Sequence, residues 1–327
     1  MSRANKFTAV FLGLVLFMAS CAPAAVTSEA TITQTPSTAA VRAPVITPGA
    51  APVITPSRAT VAAPVTTPTA PVTVTTPRVT TNTTATTPTP TPAPAPTPQL
   101  QWLGQSTFVL TSANGTKILI DPVGTSVGFT VSTQYGVDAV TVSHEHGDHN
   151  NVGMAAGSPT ILRGLIGTGA NQTWNTVNQT VKDIRISSIS PAVPIYHDNV
   201  SGAQRGRNSV FIFEVDGLRI VHLGDLGHTL SPEAIRAIGT ADVLLIPVGG
   251  FFTIDAAAAT AVVGQLNPKI VVPMHYKTAR HSPTFQPVGV DAFLVGKNVV
   301  RVQSTVIKLS RSTLPAQTTV MLPFYEE

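Results

Sequence analysis

The sequence predicts a mixed α and β domain, rich in short strands, over residues 99–327, carried behind a leader that builds no core. Three observations predict it. From Gln99 onward, short β-branched and apolar runs are separated by Gly, Asn and Asp, the punctuation of strands and turns rather than of long helices. Only two segments carry a full helix-start signal, Ser231-Pro232-Glu233 and the run after Asp255. From Ala22 to about Pro98 the chain is almost wholly Thr, Pro, Ala and Val, with hardly any charge and no apolar periodicity from which a core could form.

Taken in order, residues 1–20 place Arg3 and Lys6 before an apolar core from Phe7 to Met18, which is short for a membrane span and reads as a secretory signal. Met18-Ala19-Ser20-Cys21 then sets the chain's only cysteine behind two small residues. This resembles the cleavage box of bacterial lipoproteins and implies that Cys21 becomes a lipidated first residue, anchoring an extracytoplasmic protein to the cell envelope. A single cysteine excludes an internal disulfide. Residues 21–98 repeat Val-Ile-Thr-Pro, Val-Thr-Thr-Pro and Thr-Pro-Thr-Pro units. Proline removes backbone donors and favours polyproline II, so this segment is expected to be a disordered linker. At about 3.1 Å per residue it would reach on the order of 200 Å when stretched.

The alkaline balance of the chain belongs to this leader. It holds five basic side chains (Arg3, Lys6, Arg42, Arg58, Arg78) and one acid (Glu29), so of the totals of 20 and 16 the remainder carries equal numbers. A formally neutral domain gives no bulk-charge reason to expect nucleic acid as a partner.

Within the domain, strands are expected at residues 106–110, 117–120, 138–142, 184–189, 209–215, 218–223, 243–247, 269–273, 299–303 and 305–309. Asp216-Gly217 supplies the positive φ angles of a tight turn, so the runs on either side of it form a hairpin. Ser231 caps a helix that has Pro in its first turn and ends near Gly239; Asp255 caps another that runs through Leu266. The expected strand at 138–142 leads directly into His144-Glu145-His146-Gly147-Asp148-His149, three imidazoles and two carboxylates in six residues. All eight histidines lie between His144 and His281. Imidazole and carboxylate at such spacing, delivered at a strand end, make a metal site.

These motifs, with His197, His222-Leu223-Gly224-Asp225 and Pro273-Met274-His275-Tyr276 following in order, resemble the metallo-β-lactamase superfamily over residues 99–327. Its H-x-H-x-D-H signature matches His144, His146, Asp148 and His149. Trp102-Leu103-Gly104-Gln105-Ser106-Thr107 and Ile118-Leu119-Ile120-Asp121-Pro122 resemble the opening hairpin of the UlaG-like, zinc-dependent hydrolase branch. The resemblance implies a four-layer αββα sandwich and two divalent ions, Zn²⁺ or else Mn²⁺. His144, His146 and His197 would hold one ion, Asp148, His149 and His275 the other, with Asp225 bridging. Water activated between the ions would cleave an ester, phosphodiester, lactone or amide in a small-molecule or lipid-like substrate.

The resemblance implies that Asp121 supports a metal-bound histidine; His222 either does likewise or has a structural role. His228, three residues past Asp225, either reaches the substrate with Asp148 and Asp225 or stabilises a turn. Arg205, Arg207 and Asn208 either recognise an anion or sit in a solvated turn. Tyr276 and Lys277 are oxyanion donors or an exposed loop pair, and His281 is expected at the surface. Many relatives have His where Gln105 stands; Gln is a poor proton carrier. The competing reading is a non-catalytic, metal-stabilised binding protein on a long stalk. The oligomeric state is left open.

Overall fold

In a computed structural model, residues 96–130, 133–198 and 201–324 are described. The expected signal at 1–20, Cys21 and the linker up to residue 95 lie outside the described residues. The chain divides into two units, Met1–Thr84 and Ala85–Glu327, and everything that follows concerns the second.

Among the described residues, fourteen strands make two large sheets. In chain order they are β1 (Gln99–Gly104), β2 (Thr107–Thr111), β3 (Lys117–Ile120), β4 (Ala139–Val142), β5 (Thr160–Arg163), β6 (Asn178–Val181), β7 (Ile184–Ser188), β8 (Phe211–Val215), β9 (Leu218–His222), β10 (Val243–Pro247), β11 (Ile270–Met274), β12 (Val299–Val302), β13 (Val306–Lys308) and β14 (Thr319–Pro323). The first sheet runs β13-β1-β2-β3-β4-β5 and the second β6-β7-β8-β9-β10-β11-β14-β12. The expected hairpin is β8–β9, with Val215 opposite Leu218 and both Asp216 and Gly217 at positive φ. Strands β1, β5, β6 and β14 were not expected from the sequence.

Period-two alternation explains how the sheets meet. Phe108 and Leu110 of β2 and Ile118 and Ile120 of β3 share one core with Ile184, Phe211, Phe213 and Ile220 of the second sheet. The alternate residues, Val109, Leu119, Val140 and Val142, pack with Val123, Phe129 and Met154. That second cluster is roofed by loops and two 3₁₀ turns, Thr125–Val127 and Val152–Met154. The helices α1 (Pro232–Ile238) and α2 (Ala256–Leu266) bury Ala234, Ile238, Ala259 and Val262 in the core of the second sheet. Both start where expected: Ser231 accepts from Ala234 N at 3.2 Å and Asp255 from Ala258 N at 2.9 Å.

The topology then places the chemistry. β3, β4 and β5 are parallel, as are β9, β10 and β11. Side chains just past the carboxyl ends of such strands gather at one rim. Asp121 and His144 follow β3 and β4, while Asp225 and His275 follow β9 and β11.

Candidate metal centre

Among the described residues, three groups of donors form at that rim: two share Asp225, and a third, Asp121 with His144 and His149, overlaps both. His144, His146, His197 and Asp225 offer ligand atoms within 4.8 Å of one another, and so do Asp148, His149, Asp225 and His275. Asp225 Oδ2 lies 2.6 Å from His197 Nε2 and 3.3 Å from His275 Nε2; its Oδ1 lies 3.1 Å from His149 Nε2. This is the grouping the resemblance implies, with Asp225 in the middle.

Neighbouring side chains set which nitrogen each histidine presents. Asp121 Oδ2 accepts from His149 Nδ1 at 2.9 Å, which turns His149 Nε2 toward Asp225 and Asp148. Asp121 also takes the Ser143 backbone N–H at 2.8 Å and the Ser143 hydroxyl. With its proton so committed, Ser143 Oγ accepts from His144 Nδ1 at 3.0 Å, which leaves His144 Nε2 without a proton, 3.1 Å from His146 Nδ1. The expected supporting role of Asp121 thus has a direct geometric basis. Glu145, the variable position of the motif, turns away to pair with Arg163 at 2.6 Å.

Three atoms at the shared rim, His149 Nε2, His275 Nε2 and Asp225 Oδ1, are buried without a hydrogen-bond partner. An unsatisfied buried polar atom costs about 1–3 kcal/mol, so three converging on one spot suit a cation. The electrostatics agree. Burial, reinforced by the charge of His149, pushes His144 well below the usual imidazole range. Burial also works to lower His149 and His275, but the Asp225 and Asp148 carboxylates outweigh it, raising His149 well above that range and His275 to about 9. Burial works to raise both aspartates, yet His149 and its neighbours hold them well below the usual carboxylate range. The cluster is built to hold positive charge.

Residues 99–275, a stretch that takes in all seven donors, match the β-lactamase superfamily domain. The chain belongs to that superfamily. A UPF0173 metal-dependent hydrolase of Pyrobaculum islandicum is 32% identical over 197 residues, covering 55% of this chain and 84% of the relative. One from Pyrococcus abyssi is 30% identical over 193 residues, covering 55% and 85%. A crystal structure from Thermotoga maritima, described as a Zn-dependent hydrolase of the metallo-β-lactamase superfamily, is 32% identical with a TM-score of 0.53, covering 69% of this chain and all of that one. This superfamily member is a metal-dependent hydrolase with a mixed α and β metallo-β-lactamase fold.

Several expectations need correction. His281 is not at the surface: it is buried, with Nε2 2.8 Å from Gln105 Oε1, and Gln105 Nε2 donates to Asp148 Oδ2 at 2.8 Å. His222 touches no metal-binding histidine through its nitrogens. Its Nε2 faces Ser106 O at 3.1 Å and its Nδ1 accepts from Gly224 N at 3.1 Å, so it fixes the turn that delivers Asp225. His228 stabilises a turn rather than reaching substrate, because Nε2 accepts from Tyr196 N and Nδ1 donates to Thr229 O. That contact braces the segment carrying His197.

The Arg-Gly-Arg-Asn segment also splits. Asn208 is buried and structural, donating to Leu223 O at 2.8 Å and accepting from Asp225 N at 3.0 Å. Arg207 lies 5.0 Å from the Trp174 ring. Arg205 alone of the three reaches the cavity above the donors. Tyr276 is buried against Trp102, and Lys277 Nζ donates to the carbonyls of Pro283 and Phe285, so neither is an exposed loop residue of the kind expected. The cavity over the cluster is about 320 Å³, walled by His146, Asp148, His197, Asp225 and His275 on one side and by Val127, Arg205 and Phe252 on the other. A larger cleft of about 790 Å³ elsewhere is lined by Asp242 and Arg311, already paired at 3.3 Å, and contains none of the donors.

Proposed function

We propose that this hydrolase works with two divalent ions, Zn²⁺ or else Mn²⁺, and cleaves an ester, phosphodiester or lactone bond while tethered to the cell envelope through lipid on Cys21. The observation that carries the two-ion reading is Asp225, whose two oxygens face histidines of two separate donor groups. Bound there, the ions would supply an activated water and positive charge for the developing oxyanion. The chain's part is to hold and orient. Asp121 and Ser143 fix the tautomers of His149 and His144, Gln105 fixes Asp148, and Asn208 with His222 fixes the backbone at Asp225. Val127 and Phe252 give one side of the cavity apolar walls.

The test is elemental analysis of the purified domain beside a panel of esters, phosphodiesters and lactones. Two equivalents of metal, turnover of at least one class and loss of turnover in Asp225→Ala are expected. One ion at full activity, or two ions with no class cleaved, would refute the reading. The anchor rests on Met18-Ala19-Ser20-Cys21. Cys21→Ser should free the full-length protein from the membrane fraction; if the variant still sediments with membrane, Cys21 is not the tether.

A further inference from the structure

We propose that Arg205 anchors a second anionic group of the substrate, a carboxylate or phosphate set apart from the bond that is cut. This rests on the two-ion reading of the same cavity. Arg205 is placed by the loop that also carries His197. Asp198 Oδ2 accepts the backbone N–H groups of Gln204 and Arg205 at 2.9 and 3.1 Å, and His197 N donates to Gly206 O at 3.1 Å. The guanidinium then lies 4.9 Å from the Phe252 ring and 5.6 Å from the Phe251 ring, with Nη1 donating to Phe251 O. Two aromatic faces and a carbonyl hold the fork rigid without neutralising it.

Charge is the telling feature. Arg163, Arg185, Arg219, Arg236 and Arg311 each pair with a carboxylate. Among the described residues no carboxylate pairs with Arg205, Arg207 or Arg301, and of these three Arg205 is the one that lines the cavity of the donors. The acids in that wall, Asp148 and Asp225, belong to the donor set. Two divalent ions set against those two carboxylates leave the floor net positive, and Arg205 adds a further positive charge at the rim with most of its five N–H donors uncommitted. Val127 and Phe252 supply apolar walls for a short carbon chain between the two anionic ends. The substrate class is therefore a compact ester, lactone or phosphodiester that carries another oxyanion.

Binding of dicarboxylates to the metal-replete, full-length protein tests this without turnover. Malonate, succinate, glutarate and adipate are titrated by calorimetry against butyrate, which has one carboxylate for the ions and none for Arg205. One chain length should bind about 10- to 100-fold more tightly than butyrate, the gain expected of a charge-assisted bidentate contact. Arg205→Gln should bring that length down to butyrate while leaving butyrate and metal content unchanged, and Arg205→Lys should fall between. Exchanging one carboxylate of the best length for a phosphonate shows which anion suits the fork, and tighter or equal binding that Arg205→Gln abolishes supports the anchor. No preference for any dicarboxylate in the unmodified protein, or a preference that survives Arg205→Gln, overturns the inference alone. Fewer than two bound ions overturns the two-ion reading and this inference with it.

Discussion

His281 lies 2.8 Å from Gln105 across 176 positions of sequence, Nε2 to Oε1, and decides which way the glutamine amide faces. Thr278 N donates to His281 Nδ1 at 3.0 Å, so the ring proton sits on Nε2 and points at Gln105 Oε1. The amide nitrogen of Gln105 is thereby directed to Asp148 Oδ2 at 2.8 Å. Burial, with the charge of His275 nearby, pushes His281 down to about 4, so it stays neutral and keeps this polarity. Gln105 stands where the resemblance leads one to expect an imidazole, and His281 stands behind it, one residue removed from Asp148.

Removing that imidazole should weaken one ion and spare the other. In His281→Ala the Gln105 amide loses its reason to face Asp148, whereas the group of His144, His146 and His197 is untouched. Partners that orient a ligand are worth about 10- to 100-fold in metal affinity. Stepwise chelator competition should show a loss of about tenfold for one ion only. An equal loss for both ions would mean general loosening instead.

Asp225 and His197 should differ in the same assay. Asp225 is common to both donor groups and His197 belongs to one. Asp225→Ala should abolish retention of both ions after gel filtration, and His197→Ala should retain one. Two ions kept by Asp225→Ala would remove it from its bridging place.

How much of this was legible in the sequence depends on how local each signal is. The β8–β9 hairpin and the caps Ser231 and Asp255 are written in adjacent residues, and the structure has them where expected. The seven donors were legible because four crowd into one turn and the others each end a strand or stand in motif order. β6 was not, because its Asn178, Gln179 and Thr180 are exposed at a sheet edge and show no apolar alternation. His281 and Asn208 were missed for another reason. Their roles lie in partners far along the chain, and Asn208 sits in an Arg-rich context that suggests a surface anion site while its own side chain turns inward to Asp225.

Stripping the metals should make stability fall as pH rises from neutral. Burial works to lower His275, but Asp225 and Asp148 raise it to about 9 in the folded protein, against an ordinary 6.5. A raised folded pKa gives stability that is fully present below about pH 6.5 and is lost as pH climbs through about 9. His149, also raised, acts in the same direction, while Asp148 and Asp225 are already ionised across this window. The urea midpoint in chelator should therefore decline between about pH 6.5 and 9. With Zn²⁺ bound the decline should vanish, because ligation already requires those histidines without their extra protons. A flat profile in chelator would show that the two histidines are not proton-loaded in the folded protein.

Gly224→Ala should destabilise the domain through Asn208 rather than through the metals. Gly224 has φ +54°, and a Cβ there would lie 2.2 Å from Asn208 Oδ1 and 2.9 Å from Ser143 Cβ. Left-handed backbone costs a non-glycine residue about 1–2 kcal/mol. Displacing Asn208 further strips Asp225 N of its acceptor, a loss of about 1–3 kcal/mol for a buried group. Asn208→Ala removes the same hydrogen bond and also relieves the closer of the two contacts, leaving that to Ser143, so the two substitutions should not add. In urea denaturation of the chelated protein, the double variant should be less destabilised than the sum of the singles by about 1 kcal/mol or more. Additivity within about 0.5 kcal/mol would mean that Gly224 and Asn208 act independently, and that the turn before Asp225 owes its shape to something other than this close approach.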